Sequence, residues 1–412
     1  MDLSAYFLKE IIPAFGCTEP IALAFTSARA REVLGLFPEE LWIRCSGNMI
    51  KNAKSVVIPN SGGKKGIEYS ALLGMLVGKS EKNLEILESV TDEQIKQAVH
   101  LYEAGVCHVD FVPRVPNLYI EAEVRGQGHS AVVAVKNSHT HVVKIEKDGE
   151  TIFSIPETEE EKNTFTADFE EIESFARQGN IDQLRPVIEK EIEYNMAIAR
   201  EGISHKWGAN IGKMILAGGS DFGRTKQAYA AAGSDARMSG CSLPVMINSG
   251  SGNQGITLSV PLILEADHMG TDHENLVRSL VFANLIGLYL KSGIGKLSAY
   301  CGAMSAASAG AAGIAFLHGE NGNVIRGTLT NTLASLSGVV CDGAKPSCAM
   351  KIGMAVGTGE IAYRQAKSGN TFHAGDGIVK KDVDDTIHTV SVIAHDGMKE
   401  TDNIILKEML RK

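Results

Sequence analysis

Residues 297–317 read L-S-A-Y-C-G-A-M-S-A-A-S-A-G-A-A-G-I-A-F-L, a run without one charged side chain. Its length approaches what a bilayer span requires. Its content of Ala, Ser and Gly is poor material for such a span, because these residues gain little on insertion. The run therefore predicts a helix buried in a protein core, and with it a helical second half. Cys301 stands inside it, and two more cysteines bound the segment C-D-G-A-K-P-S-C at 341–348. Three soft ligands, two of them on one short turn, suit zinc or an iron–sulfur cluster. A structural zinc site would want a fourth ligand and a closer C-x-x-C type of pair. Asp342, Gly343 and Pro346 make the intervening segment a turn. Three buried cysteines acting as small apolar residues would give the same pattern. Spacing alone leaves these readings open.

Around this block lies a chain of 412 residues, long enough for two domains. Hydrophobic residues make up 44% and charged residues 22%, ordinary values for a globular protein. A formal net charge of −9 and no long basic run make nucleic acid an unexpected partner. The seven cysteines are odd in number and scattered, unlike the dense framework of a small secreted domain. Lys9 and Glu10 fall where a signal peptide would be apolar. The expectation is a cytoplasmic protein, not a membrane one. A homo-oligomer stays open.

In chain order, Leu3, Phe7, Leu8 and Ile11 recur at helical spacing. Pro13 and Gly16 interrupt that helix, and a second begins near Pro20 with Thr18 as its expected N-cap. Cys17 then sits at a helix N-terminus, a place that lowers a thiol pKa. Glu19 beside it is a capping carboxylate or a proton acceptor. Leu41–Cys45 and Ser55–Ile58 are β-prone, while 68–76 and 80–105 have helical patterns. From Leu118 the pattern alternates: 118–124, 131–135, 141–145 and 151–155 read as strands, the last two joined by an Asp148-Gly149 hairpin. The polar run P-E-T-E-E-E-K-N-T at 156–164 is the expected linker. Beyond it everything reads helical. The fold class is thus an α+β N-terminal domain (1–160) with a largely antiparallel sheet, followed by an all-helical domain (161–412) that carries the three cysteines. The first helices and the Cys17 loop are expected to dock onto the second domain.

Other stretches carry polar groups suited to a site. Asn248-Ser-Gly-Ser-Gly-Asn-Gln-Gly255 offers backbone donors and amides that could hold a carboxylate. Ser249, Gly250, Asn253 and Gln254 are its candidate substrate contacts. The loop also looks like the phosphate loop of pyridoxal phosphate enzymes of fold-type II, with Lys226 upstream as the Schiff-base candidate, although its surroundings read as helix. Ser138, His139 and Thr140 stand at a strand entry, as a solvated turn or as reach into a neighbouring site. Arg237 could fork onto a carboxylate or pair structurally with Asp235.

Four motifs in order, G-C-T-E-P at 16–20, S-D-A-R-M-S-G-C-S-L-P-V at 234–245, N-S-G-S-G-N-Q-G-I at 248–256 and the three cysteines, are similar to a known family. The chain resembles the iron–sulfur L-serine dehydratases and, more closely, the L-cysteine desulfidases. Asn137-Ser-His-Thr resembles the S-S-H-T stretch of the dehydratases. The resemblance implies a 4Fe–4S cluster on Cys301, Cys341 and Cys348, with a fourth iron free to act as a Lewis acid on the leaving group. It implies β-elimination of L-cysteine to pyruvate, ammonia and sulfide, or of L-serine by the same route. One departure stands out: the dehydratases' C-terminal capping cysteine has no counterpart after Cys348. Cys17 is then the expected cap or base, ahead of Cys45, Cys107 and Cys241. A cluster-bearing redox or iron sensor is the non-enzymatic alternative. Such a protein would carry a fourth fixed ligand and a partner surface, and neither is evident.

Overall fold

The computed structural model describes residues 1–156, 165–219 and 221–411. The first part runs α1 (Leu3–Glu10), β1 (Pro13–Phe15), α2 (Thr18–Leu34), β2 (Glu40–Cys45), α3 (Gly47–Ala53), α4 (Ile67–Val77), α5 (Asp92–Glu103), β3 (Cys107–Phe111), β4 (Tyr119–Gly126), β5 (His129–Lys136), β6 (Val142–Lys147) and β7 (Glu150–Ser154). A six-stranded sheet has the order β3-β2-β4-β5-β6-β7. Only the β2–β3 pair is parallel; the other neighbours are antiparallel. Alternation explains the register of its centre. Ile120, Ala122 and Val124 face Val135, Val133 and Ala131 across the strands, and all six are buried. Asp148 and Gly149 both take positive φ, 52° and 82°, the backbone that a tight hairpin between twisted strands requires.

Two expectations for this part need correction. Ser55–Ile58 is not a strand, and only Val57 forms an isolated bridge, to Lys65. The helical pattern over 80–105 splits into a 3₁₀ segment, Ser80–Glu85, and α5. There the reciprocal cap between Thr91 and Gln94 starts a new helix. β3, which the sequence reading did not pick out, is a short edge strand of five residues with no fully buried side chain.

The second part contains α6 (Phe169–Gln178), α7 (Arg185–Ser204), α8 (Ile211–Ala217), α9 (Phe222–Met238), β8 (Pro244–Met246), α10 (Gly252–Met269), α11 (His273–Ile294), α12 (Gly302–Leu317), α13 (Gly322–Leu336), α14 (Cys348–Lys367), α15 (Val383–Val392) and α16 (Lys399–Leu410). The small-residue run is α12, buried from Ala303 to Leu317. Its composition has a packing reason. A Cβ on Gly310 would stand 2.9 Å from the Leu258 carbonyl of α10, and one on Gly313 2.7 Å from Ala283 Cβ of α11. Gly359 of α14 approaches Ala311 in the same way, at 2.9 Å. A methyl group added at such a crossing would cost about 1–3 kcal/mol. α11 is the one helix among the described residues long and apolar enough to cross a membrane, yet 78% of its apolar window is buried. Its Phe282 stacks on Phe316 of α12, so its apolar character belongs to the core.

The second part is not wholly helical. β8 pairs antiparallel with β1, Pro13 opposite Met246 and Phe15 opposite Pro244. This two-stranded ribbon ties the first fifteen residues into the helical part and sets the start of α2 against the loop after β8. The expected linker lies, from residue 157 to 164, outside the described residues.

Candidate active site

The ribbon delivers Cys17 to the N-cap of α2. Gly16 makes the preceding turn at φ 78°, where a Cβ would strike the Pro59 ring at 2.4 Å. Thr18, the expected cap, is instead the first residue of the helix. Its hydroxyl donates to Gly250 O at 2.9 Å and lies 3.1 Å from Glu19 Oε2. Cys17 Sγ donates to the same carboxylate oxygen at 3.2 Å. The thiol pKa is therefore not lowered. Burial pushes it well up, the Glu19 charge adds to that, and Arg237 opposes it more weakly. Cys17 is a neutral thiol with a carboxylate acceptor already in place.

Across from this pair lies the 248–254 loop. Ser249 and Gly250 both adopt left-handed φ, 48° and 80°. A Cβ on Gly250 would sit 2.8 Å from His139 Cε1, so the bare backbone lets the imidazole of the 137–141 turn pack directly on the loop. His139 is buried and its Nε2 has no hydrogen-bond partner. Burial holds it neutral, with its pKa down at about 4; Lys296 and Arg237 push the same way against Glu19 and Glu10. Arg237 lies against Gly252, whose Cβ would be 2.4 Å from Nε. Its Nη1 donates to Asn253 Oδ1 at 3.2 Å, while buried Nε and Nη2 are unpaired. Asp235 is not its partner: Asp235 Oδ2 accepts from the Ile211 amide at 2.6 Å and caps α8. Gln254 packs on Gly302, beside Cys301, at 2.8 Å from its virtual Cβ. Ser138 Oγ is 3.4 Å from Lys296 Nζ, and Thr140 is half-buried next to it.

A polar chain reaches the loop from behind. Asn248 Nδ2 donates to Asn284 Oδ1 at 3.0 Å, and Asn284 Nδ2 donates to Glu191 Oε2 at 2.8 Å. Glu191 is buried with Oε1 unpaired, and burial pushes its carboxyl up to about 8. Its native form binds a proton that the unfolded form releases near pH 4.5, so stability falls as pH rises towards 8. Glu191→Gln is expected to remove that slope and raise Tm at pH 8 by on the order of 5 °C, with little gain at pH 4. Equal shifts at both pH values in thermal melts would refute this.

The three cysteines converge from two segments. The Cys301 amide donates to Val339 O at 3.0 Å, the Cys341 amide to Ala299 O at 2.6 Å, and Tyr300 bridges Val340. Cys348 opens α14, its thiol directed at Gly343 O at 3.7 Å. Burial pushes Cys301 up to about 12, and the Cys341 and Cys348 thiols add to the rise. Cys348 is raised by burial and, more weakly, by Cys341. The trio is thus one electrostatic unit. Cys17 joins it, sharing a small apolar cluster with Val56, Met238, Ala344 and Cys348. Among the described residues no His, Cys, Asp and Glu side chains gather closely enough for a single metal ion. The soft donor set fits an iron–sulfur cluster.

The other cysteines stand apart. Cys45 and Cys107 lie on the sheet near Glu68, each pushed up to about 12 by burial, and Cys241 follows α9 with Glu201 as its charged neighbour. Lys226 is buried and bonded at 2.5 Å to both Glu265 and Glu360, which leaves no free amine for a Schiff base. A groove of about 620 Å³ lined by Arg31, Phe37, Leu76, Gln94 and Leu101 includes none of the site residues. Sequence reading missed three residues here. Lys296 pairs with buried Glu10 at 2.9 Å. Lys291 is buried, pushed down to about 8 by burial, with Cys341, Cys301 and Lys51 among its electrostatic neighbours. None of the three lies in a motif, and a single lysine or glutamate carries no periodic signal.

A family model described as serine dehydratase alpha chain matches residues 81–407. The chain belongs to the serine dehydratase alpha-chain family. The matched span includes His139, Arg237, the 248–254 loop and all three clustered cysteines. Cys17 and Glu19 precede it, but full-length relatives cover them. The UPF0597 protein of Lachnoclostridium phytofermentans is 46% identical over 407 residues, covering 97% of each chain. That of Finegoldia magna is 43% identical over 98% of each, and that of Treponema denticola 42% identical over 98% of this chain and 96% of its own. The family's description is of a dehydratase, a lyase-type activity.

Proposed function

We propose that the chain eliminates the β-substituent of a small amino acid, L-cysteine foremost and L-serine by the same route. The carrying observation is a set of unpaired buried donors, Arg237 Nε and Nη2 with His139 Nε2, facing the Cys17–Glu19 pair. Unpaired buried donors are costly unless a ligand completes them. Two adjacent guanidinium N–H groups match a carboxylate bidentately. Asn253 holds the guanidinium by its third nitrogen, and His139, neutral at physiological pH, adds a donor or acceptor without a competing charge.

The cysteine trio suits a 4Fe–4S cluster, in keeping with the resemblance to iron–sulfur dehydratases and desulfidases. When bound, such a cluster supplies a Lewis-acidic iron that makes sulfide or hydroxide a better leaving group. The chain's own residues do the rest. Arg237 fixes the substrate carboxylate, and the 248–254 loop closes over it. The Cys17 proton passes to Glu19 Oε2, and the thiolate takes the α-proton as the Cβ–S or Cβ–O bond breaks. The resulting aminoacrylate takes up water and gives pyruvate and ammonia. Burial of Cys17, His139 and Arg237 keeps bulk water from the carbanion-like centre. A cytoplasmic setting suits a site of reduced thiols.

The test is anaerobic purification with iron and sulfide analysis, then pyruvate release from L-cysteine and L-serine. Iron-bearing protein that forms pyruvate from neither would sink the proposal. Arg237→Lys is expected to raise KM about 10-fold and Arg237→Met about 100-fold, with smaller changes in kcat, since a carboxylate contact serves ground and transition states alike. An unchanged KM would remove Arg237 from substrate binding.

A further inference from the structure

Lys51 of α3 is 1% exposed, the most deeply buried lysine among the described residues. Its ammonium donates to Cys341 O at 3.2 Å and to Ser298 O at 3.4 Å, and pairs with Asp402 Oδ1 at 2.5 Å. The two carbonyls belong to the two segments that carry the clustered cysteines. Its own backbone acts as well: Gly343, at φ 100°, lies so close that a Cβ would stand 2.2 Å from Lys51 O. The 341–348 turn is thus pressed onto α3 and bonded through it to the segment entering Cys301.

Asp402 is on α16, which buries none of its residues fully. That helix rests on α3 at Gly47, whose missing Cβ leaves room for Leu406, and Lys54 Nζ donates to Met409 O at 3.2 Å. A cavity of about 90 Å³ lined by Ser46, Asn48, Lys51, Asn117, Asp402 and Leu406 runs between them. If α16 lifted, Lys51 would be a buried cation without its anion, which is strongly unfavourable. Its grip on the two carbonyls would loosen with it.

We propose that Lys51 is a positioning residue for the Cys301–Cys341–Cys348 trio and that α16, through Asp402, is the latch that holds it in place. The cluster-directed part of this rests on the reading that the trio binds iron and sulfide. The latch itself does not. The test uses the full chain with Lys51→Met and Asp402→Asn. In metal-free protein, backbone hydrogen exchange over 298–301 and 339–348 is expected to accelerate about 10-fold or more in both variants, with α12 unchanged. In reconstituted protein, iron loss to a chelator is expected to speed up by about 10-fold. The Lys51→Met cluster is expected to show a lower reduction potential, because a nearby buried positive charge is gone. Unchanged exchange in both variants overturns the latch, as does acceleration spread equally through α12. Unchanged iron loss and potential overturn the positioning role. Should Lys51→Met fail to fold, Asp402→Asn, altering a partly exposed carboxylate, decides through the same exchange and iron-loss measurements. If wild-type protein takes up no iron, the cluster reading falls while the exchange result still judges the latch.

Discussion

Alanine at Cys301, Cys341 or Cys348 is expected to lower pyruvate formation by at least ~10³-fold, the scale on which a catalytic set fails when one essential member is lost. Iron content should collapse in parallel, because two thiolates would remain where three are gathered. The fold should survive, because each change trims one small side chain, two of them at helix starts: Cys301 precedes α12, and Cys348 begins α14. Circular dichroism and a melting curve close to wild type, together with lost iron, would be the signature. A variant of any of the three that keeps both iron and turnover would remove that cysteine from the ligand set. If all three kept them, the cluster assignment would fail.

Cys17→Ala is expected to act differently. It removes the thiol that Glu19 is placed to deprotonate, and general-base loss costs about 10²–10⁴ in kcat. Iron content and visible absorption should stay near wild type, because Cys17 touches the trio only through the apolar cluster it shares with Cys348. Glu19→Gln should lower kcat as well while leaving KM nearly unchanged, since the amide cannot take the thiol proton. If Cys17→Ala loses iron as completely as the other three, Cys17 is a fixed fourth ligand. The Lewis-acid route would then need that ligand to leave, and a redox or iron sensor would become the better reading.

The raised Cys17 thiol shows how local and tertiary effects compete. A helix N-terminus favours thiolate, and that much is visible in G-C-T-E-P. Burial and the facing Glu19 carboxylate act the other way, and in a buried site they win. The outcome turns the residue from a ready nucleophile into an acid that needs its neighbour.

Much of the architecture was legible in the chain itself. Alternation over 119–136 specifies β4 and β5, because a pleated sheet with one buried face has a period of two and a slip would expose every apolar residue. β6 and β7 are marked by the Asp148-Gly149 turn between them. The uncharged small residues of 297–317 specify a buried helix, since only Ala, Ser and Gly permit the approaches seen at Gly310 and Gly313. The motif glycines and cysteines were legible for the same kind of reason: backbone at positive φ and soft-donor chemistry both restrict the residue type. What needed the tertiary structure were pairings that span hundreds of residues without a period. The β1–β8 ribbon joins Phe15 to Pro244, Lys296 meets Glu10, and Lys51 meets both Cys341 and Asp402. A lone lysine or a three-residue strand is compatible with almost any surface position. Its role is decided by burial and by the charges that folding brings to it, and those depend on the whole packed chain.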